Sequence, residues 1–215
     1  MIQNFSETKS IFGSILSELR DVKVQKDSMR FRRNLERLGE LLAYEVSKKL
    51  EYKQVSVTTP LGEATEYQLI EQPILAAILR AGLPMHQGFL SIFDKAESAF
   101  VSAYRKHITN DEFEIHVEYV ASPSFENKAL IIVDPMLATG SSMVSVYKTL
   151  LQQGNPSKLF IVAAIASPEA IDYLKTQLPE STHYYIGAID QELTSQAYIV
   201  PGIGDAGDLA FGIKC

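Results

Sequence analysis

The sequence has a single cysteine, no tryptophan and no long apolar run. Because Cys215 has no cysteine partner within the chain, an intramolecular disulfide and a cysteine-based zinc site are both excluded. A chain without disulfides fits a reducing compartment, so we expect a cytoplasmic protein. Apolar runs such as residues 160–166 have the length of a strand, well below the roughly 18 residues of a membrane-spanning helix. We therefore expect no membrane association.

An excess of basic residues is also missing. The chain has 20 Lys+Arg against 26 Asp+Glu, a formal net charge of -6, whereas nucleic-acid binding needs a basic face. We therefore expect no nucleic-acid partner, although a local cluster of cations can still bind a small anion. The 215 residues, 46% of them hydrophobic, suffice for one domain with its own core. Residues 1–215 are thus predicted to form a single domain.

Apolar segments alternate with amphipathic ones along the chain. The pattern predicts strands over residues 74–79, 99–104, 113–119, 130–133, 159–164 and 184–189. It predicts helices that begin near residues 28, 83, 141 and 168, the first capped by Ser28, whereas the residues before Ser28 have the least structured composition. Strict alternation over 113–119 indicates a half-exposed antiparallel strand. The fold class is therefore α/β, a mostly parallel sheet flanked by helices.

The most informative segment follows the predicted strand 130–133. Asp134 comes directly after that strand, and Thr139, Gly140 and two serines precede a predicted helix. Free backbone N–H groups and hydroxyls at a helix N-terminus can bind a phosphate monoester, and the acid can reach hydroxyls of the attached sugar. An ordinary Asp turn with serine capping is the alternative. The flanking strand and helix favour the phosphate site, and the lack of a Gly-Lys-Ser/Thr run excludes a Walker A loop.

Two further segments indicate ligand binding. Residues 198–208 contain Gly-x-Gly-x-x-Gly, but only eight residues follow Gly207, too few for the helix of a dinucleotide-binding fold. The glycines let the backbone approach a flat ligand, although a plain terminal turn is the alternative. Arg80 and Arg105 each follow or end a predicted strand. Two arginines at strand ends of an acidic protein indicate an anion site.

Together these segments resemble the uracil phosphoribosyltransferase family. The motif Ile-Leu-Arg-Ala-Gly-Leu is residues 78–83, Asp-Pro-Met-Leu-Ala-Thr-Gly is residues 134–140, and Tyr-Ile-x-Pro-Gly-x-Gly-Asp-Ala-Gly-Asp is residues 198–208. The resemblance runs from about residue 21 to 212. Pro135, where the wider superfamily has a second acid, is similar to the uracil branch in particular. Ser141 and Pro84 depart from common glycines, which leaves their effect on substrate affinity open.

The resemblance implies a pyrimidine-salvage enzyme that makes UMP and diphosphate from uracil and 5-phospho-α-D-ribose 1-diphosphate, called the diphosphate sugar below. It implies a phosphoribosyltransferase-like fold with a small hood or β-hairpin appendage, an N-terminal extension over 1–27 and a C-terminal base-binding hood over 195–215. The catalytic residues implied are Arg105, Asp134 and Asp205. The diphosphate sugar would contact Arg80, Arg105, Asp134, Pro135, Met136, Leu137, Ala138, Thr139, Gly140, Ser141, Ser142 and Asp205. Uracil would contact Tyr198, Ile199, Gly204, Asp205 and Ala206.

The resemblance also implies cofactors and partners. Mg²⁺ would be bound mainly through the substrate diphosphate, with no direct protein ligand assigned. GTP is a candidate allosteric activator, because family members can respond to it, and a homodimer or homotetramer is expected. Two alternatives remain: a regulator that binds UMP or the diphosphate sugar without efficient turnover, and a transferase for another base. An intact Asp134 and Arg105 favour the enzyme, and the uninterrupted segment 198–208 favours uracil.

Overall fold

The structure is a computed structural model that describes the backbone of residues 1–107 and 113–214 and the side chains of residues 1–103 and 117–214. Within these ranges the strands are β1 (Ile2–Asn4), β2 (Tyr52–Thr59), β3 (Gly62–Leu69), β4 (Ile74–Leu79), β5 (Glu97–His107), β6 (Phe113–Ala121), β7 (Ala129–Val133), β8 (Met136–Leu137), β9 (Lys158–Ala166), β10 (His183–Ile189), β11 (Glu192–Leu193) and β12 (Ile199–Val200). The helices are α1 (Ile11–Arg20), α2 (Ser28–Ser47), α3 (Leu83–Ile92), α4 (Ser141–Leu150), α5 (Pro168–Gln177) and α6 (Ala206–Phe211).

One large sheet forms the centre of the described chain, in the order β1-β10-β9-β7-β4-β5-β6, and β8 pairs beside it with β9. Every pairing in it is parallel except that of β6, which runs antiparallel to β5 at the edge. The predicted mostly parallel sheet and the antiparallel strand over 113–119 are both confirmed. Each predicted strand is present, with bounds that differ by a few residues.

The central strands are apolar on both faces because helices cover both faces. On β4, Leu75 points into a cluster with Leu35 of α2 and Phe89 of α3. Its neighbours in sequence point into a second cluster, where Ile74 packs with Met143 of α4. The alternation along β4 thus divides the core into two layers, one on each side of the sheet.

The first long helix begins at Ser28, but its cap is the preceding residue. Asp27 is extended, with φ -77° and ψ 99°, and its carboxylate accepts a hydrogen bond from the backbone N–H of Arg30. The expectation that Ser28 caps this helix is therefore wrong, because Ser28 is already helical. The helix α2 ends at Ser47.

The segment before Ser28 is more regular than its composition indicates. Helix α1 begins after a Ser10 cap and buries Phe12, Ile15, Leu16 and Leu19, which recur at helical spacing. Strand β1 pairs in parallel with β10 at the sheet edge. The expectation of little structure here is wrong, because these four apolar residues keep a helical period over the whole of α1.

Two small antiparallel pairs lie outside the large sheet. Strands β2 and β3 form a long hairpin whose tip residue, Leu61, is fully exposed. Strands β11 and β12 form a second pair, directly before α6. The predicted appendage thus exists, although the sequence pattern did not place the first hairpin. In the part of the chain that the structure describes, no helix has both the length and the hydropathy needed to cross a bilayer.

Candidate active site

The carboxyl ends of two neighbouring strands bring the two central motifs together. Strand β4 leads into Arg80 and strand β7 leads into Asp134, and the two strands pair in parallel. Since parallel strands end at the same edge of a sheet, the loops that follow them meet there. Helix α3 begins just after Arg80, with Pro84 in its first turn, where a residue without an N–H costs the helix no hydrogen bond.

The loop after β7 turns sharply into α4. Gly140 directly precedes the helix with φ +77°, a left-handed conformation that glycine adopts without the strain of a side chain. The Thr139 hydroxyl donates to Ser141 Oγ (3.2 Å) and accepts from the Ser141 backbone N–H (3.4 Å). The first N–H groups of α4 have no acceptor within the helix. Except for the Ser141 N–H, which donates to Thr139, these groups and the Ser142 side chain are therefore available to an anion at this end.

Asp134 is held at the base of this loop. Its backbone N–H donates to Val162 O on β9 (3.1 Å), and its Oδ1 accepts from the Met136 N–H (3.4 Å). Burial raises the pKa of Asp134 from its ordinary value of 3.8 to about 7, and the Met136 hydrogen bond lowers the pKa only partly. A carboxyl group with this pKa changes charge near neutral pH, a property common at functional sites.

Arg80 lies over the site with part of its guanidinium free. Its Nη2 donates to Asp208 Oδ1 at 2.9 Å. Its Nε is buried and has no hydrogen-bond partner among the described residues. The rest of the side chain is accessible from the cavity, because 37% of it is exposed. This guanidinium is therefore suited to a second anion besides Asp208.

The C-terminal segment forms the opposite wall. Asp205 caps α6, and its Oδ1 accepts a hydrogen bond from the Asp208 N–H (2.9 Å). At the other end of that helix, Arg32 of α2 donates to Ala210 O (2.6 Å). The short helix is thus fixed at both ends, which holds Asp205 and Asp208 beside Arg80.

These walls enclose a cavity of about 510 Å³. It is lined by Ile78, Leu79, Arg80, Ala81, Ala103, Asp134, Met136, Ala138, Ser142, Gln196, Ala197, Tyr198, Asp205, Ala206, Gly207 and Lys214. A smaller cavity of about 50 Å³ adjoins it at the loop before α4 and is lined by Asp134, Met136, Leu137, Ala138, Thr139, Gly140, Ser142 and Met143. All three sequence segments therefore contribute to one continuous site.

Most of the predicted site residues are brought together there. Four lie outside both cavity linings: Pro135, Ser141, Ile199 and Gly204. The Ile199 side chain is 5% exposed and packs in the core beneath the C-terminal segment. The remaining predicted residue, Arg105, lies on β5, but its side chain is outside the described residues.

Sequence reasoning missed several residues of the site. Asp208, the partner of Arg80, lies within the motif over 198–208, but its role depends on a contact 128 residues away in sequence. Gln196, Ala197 and Lys214 line the cavity from irregular segments next to that motif. Their position next to the motif in the sequence could have indicated that they lie near the site, whereas no sequence pattern showed that their side chains line the cavity.

Comparisons with known proteins agree with this geometry. The model of the family described as uracil phosphoribosyltransferase matches residues 7–213. A uracil phosphoribosyltransferase of Porphyromonas gingivalis is 54% identical over 205 residues, 95% of each chain, and one of Thermococcus gammatolerans is 36% identical over 98% of this chain and 93% of its own. A solved Aquifex aeolicus protein has a TM-score of 0.87 at 29% identity and covers 100% of this chain and 99% of its own. The chain belongs to the uracil phosphoribosyltransferase family.

Proposed function

We propose that this protein transfers the phosphoribosyl group of the diphosphate sugar to uracil, which gives UMP and diphosphate for pyrimidine salvage. One observation carries the proposal: a single cavity brings together Arg80, Asp134, the N-terminus of α4 and the segment that contains Tyr198 and Ala206. An anion, a ribose and a flat base each find suitable groups there. The relatives named uracil phosphoribosyltransferase support the same reaction.

The smaller cavity is the proposed site of the 5′-phosphate. It is formed by the loop that runs from Met136 to Ser142 into α4. Backbone N–H groups at the start of the helix, the Thr139 hydroxyl and the helix dipole favour a doubly charged phosphate. With its phosphate held there, the ribose reaches back toward Asp134, which lines both cavities. The donor is thereby oriented before the reaction.

The diphosphate is proposed to lie near Arg80. The Arg80 side chain is 37% exposed and lines the cavity, so its guanidinium can donate to a phosphate oxygen while Asp208 keeps it in place through Nη2. By family resemblance, Arg105 supplies a second cation to the same group. Two cations on the departing oxygens lower the barrier for breaking the bond between C1 of the ribose and the diphosphate.

Asp134 is proposed to act on the ribose itself. In the reaction the C1–oxygen bond to diphosphate breaks with its electron pair going to the departing oxygen, the bond between uracil N1 and C1 forms, and the N1 proton passes to the departing diphosphate or to solvent. The transition state carries positive charge on the ribose ring, as in glycoside transfer. An ionised Asp134 accepts hydrogen bonds from the ribose hydroxyls and stabilises that charge in surroundings of low dielectric constant.

The carboxylates of the cavity fit a magnesium ion that arrives with the diphosphate. Mg²⁺ prefers oxygen ligands and is commonly held by one or two carboxylates together with substrate phosphates. Asp134 and Asp205 both line the cavity, whereas within the described ranges no three His, Cys, Asp or Glu side chains form a metal cluster. When bound, the ion would neutralise charge on the diphosphate. Asp205 would hold it while it also caps α6.

Uracil is proposed to lie between Tyr198 and the backbone at residues 204–206. Tyr198 and Ala206 line the cavity, whereas the Ile199 side chain is buried below them, so Ile199 would contact the base only through its backbone. Backbone N–H and C=O groups form a fixed pattern of donors and acceptors. Cytosine has an amino donor where uracil has an acceptor, and it would leave buried groups unpaired.

The test is a direct assay of base choice. Purified protein, Mg²⁺ and the diphosphate sugar are incubated separately with uracil, cytosine, hypoxanthine or orotate, and nucleotide and diphosphate are measured. UMP from uracil alone is the expected result. Equal reaction with another base contradicts the choice of uracil. If no base reacts but UMP raises the melting temperature, the protein is a regulator of the kind considered from the sequence.

Three properties remain predictions that need their own measurements. GTP activation is tested by repeating the uracil assay with and without GTP, where a rise in turnover supports it. A homodimer or homotetramer is tested by light scattering of the purified protein, and a monomer contradicts it. The cytoplasmic location is tested by cell fractionation.

A further inference from the structure

An ion pair connects the N-terminal helix to the carboxyl end of β10. Arg20 is the last residue of α1, and Asp190 directly follows β10. Arg20 Nη1 donates to Asp190 Oδ2 and Nη2 donates to Oδ1, both at 2.7 Å. The Asp190 side chain is only 6% exposed, against 25% for Arg20. This two-pronged geometry fixes both side chains relative to each other.

Both members of the pair also hold one residue of the C-terminal segment. The Gly202 N–H donates to Asp190 Oδ2 at 2.9 Å, and Gly202 O accepts from Arg20 Nη1 at 2.9 Å. Among the residues that the structure describes, no other side chain forms a hydrogen bond with the backbone of residues 201–204. The position of this stretch therefore depends on the pair.

A second contact from the N-terminal region supports the same stretch. The Gln25 Nε2 donates to Leu19 O (2.9 Å) and to Arg20 O (3.3 Å), which ties Gln25 to the end of α1. Its Oε1 lies beside Gly204, at 3.4 Å from where a β-carbon of that residue would be. The N-terminal region thus contacts the backbone just before Asp205 and Ala206.

We propose that Arg20 and Asp190 are positioning residues for uracil recognition, acting through Gly202 on the backbone that reads the base. The inference rests on the proposed function. A buried ion pair contributes little net stability compared with apolar residues of the same size, because both charges lose their hydration. This cost is consistent with a role of the ion pair in fixing the geometry of the loop. A shift of about 1 Å in such a loop is enough to lower a reaction rate about a hundredfold.

The test separates uracil from the diphosphate sugar. Arg20→Lys keeps the charge but lacks the fork that reaches both carboxylate oxygens and Gly202 O. Asp190→Asn keeps the size but replaces one acceptor with a donor. For each variant, KM is measured for uracil at saturating diphosphate sugar and for the diphosphate sugar at saturating uracil. The assays run at a temperature at which thermal unfolding shows every variant folded.

A rise of about tenfold in the KM of uracil, as expected for the loss of one hydrogen bond to the base, with the KM of the diphosphate sugar changed less than about twofold, is the expected result for both variants. Glu18→Gln is the matched control, because Glu18 also accepts two hydrogen bonds from an arginine, Arg30, at 2.7 Å each. That pair joins α1 to α2, and among the described residues neither side chain forms a hydrogen bond with the C-terminal segment. The control is expected to leave both KM values unchanged.

Three outcomes would overturn the proposal: unchanged KM values, an equal rise in both, or the same rise in the Glu18→Gln control. If neither the Arg20 nor the Asp190 variant folds, Gln25→Leu tests the support of the same backbone stretch by the N-terminal region, since it removes the two hydrogen bonds to the end of α1. A selective rise of the uracil KM there supports the proposal, and no change overturns it. A wild-type protein that makes no UMP contradicts the proposed function instead, and this is visible before any variant is compared.

Discussion

The two halves of the cavity are held in place in different ways. The loop over residues 134–142 is fixed by backbone hydrogen bonds to a central strand, such as the one from Asp134 N–H to Val162 O. The segment over residues 198–210 begins in the β11–β12 pair, and beyond it the segment is fixed by side chains from distant parts of the chain, Arg20, Arg32 and Arg80 among them. The half proposed for the diphosphate sugar is therefore held by the backbone of the sheet, whereas the half proposed for the base is held mainly by side-chain contacts from other elements.

This difference predicts which substitutions reduce catalysis alone and which also reduce stability. A side chain of the loop over 134–142 is free to serve the ligand, because the backbone already holds the loop. In the segment over 198–208 the same side chains serve both structure and ligand. Changes in the first half should therefore affect catalysis with little loss of stability, and changes in the second half should affect both.

The largest expected effect is that of Asp134→Asn. The amide retains the size of the carboxyl group but cannot stabilise positive charge on the ribose, so kcat should fall by about a hundredfold to a thousandfold. Steady-state kinetics measure it. Asp172→Asn, which removes a carboxylate that pairs with Lys175 on the surface of α5, is the control and should leave kcat unchanged. A wild-type rate in Asp134→Asn contradicts the proposed role on the ribose.

The same variant should not lose stability. Because folding raises the pKa of Asp134 from 3.8 to about 7, the stability that this carboxyl contributes is present at low pH and is lost as pH rises through about 7. The amide has no such loss. The melting temperature of Asp134→Asn minus that of the wild type should therefore be larger at pH 8 than at pH 5. The opposite trend would show that the carboxylate is stabilised by folding.

The next effect compares two glycines with positive φ. Gly202 has φ +64°, and a methyl group on it would overlap the carbonyl oxygen of Ile199. Gly140 has φ +77°, but a methyl group there would be 3.2 Å from its nearest neighbours, Ala170 O and Leu174 Cγ. We expect Gly202→Ala to lower the free energy of unfolding by about 3 kcal/mol and Gly140→Ala by about 1 kcal/mol. Urea unfolding measures both, and equal losses would remove the distinction between the two halves.

The same distinction explains what the sequence could predict. The loop over 134–142 was predicted because its signals are local: an apolar strand, an acid, small and hydroxylic residues, then a helical period. The resemblance identified the segment over 198–208, but not what holds it. Arg20 and Asp190 are 170 residues apart, and Arg80 and Asp208 are 128 apart. No periodicity links such residues, since they become neighbours only when the sheet and its helices assemble.

Two further errors concern local structure in the N-terminal region. The cap of α2 was assigned to Ser28, although Asp27 makes the capping hydrogen bond, because both residues favour that position and sequence alone does not rank them. Helix α1 was overlooked although Phe12, Ile15, Leu16 and Leu19 recur at helical spacing over its length. Both elements lie in the N-terminal region, whose contacts to the C-terminal segment are long-range.

A smaller effect concerns the pH dependence of donor binding. If the diphosphate sugar and its Mg²⁺ bind the ionised form of Asp134, a pKa of about 7 leaves roughly one tenth of the carboxyl ionised at pH 6 and most of it at pH 8. The KM of the diphosphate sugar should therefore fall about tenfold between these pH values. Asp134→Asn measures the contribution of the substrate's own titration, and its profile should be flatter. Equal slopes in the two proteins would assign the dependence to the substrate.

The smallest expected effect separates the two roles of Asp205. Asp205→Ala removes the acceptor for the Asp208 N–H, the cap of α6, and should lower the free energy of unfolding by about 1 kcal/mol. Asp205→Asn retains a capping oxygen, so its stability should stay near that of the wild type while its lost charge weakens the binding of Mg²⁺ with the diphosphate. Thermal unfolding and a titration of activity with Mg²⁺ measure the two effects. If Asp205→Asn is as active as the wild type at every Mg²⁺ concentration, Asp205 acts only as the cap of α6. The C-terminal half of the cavity then contributes no charge from Asp205 to the metal.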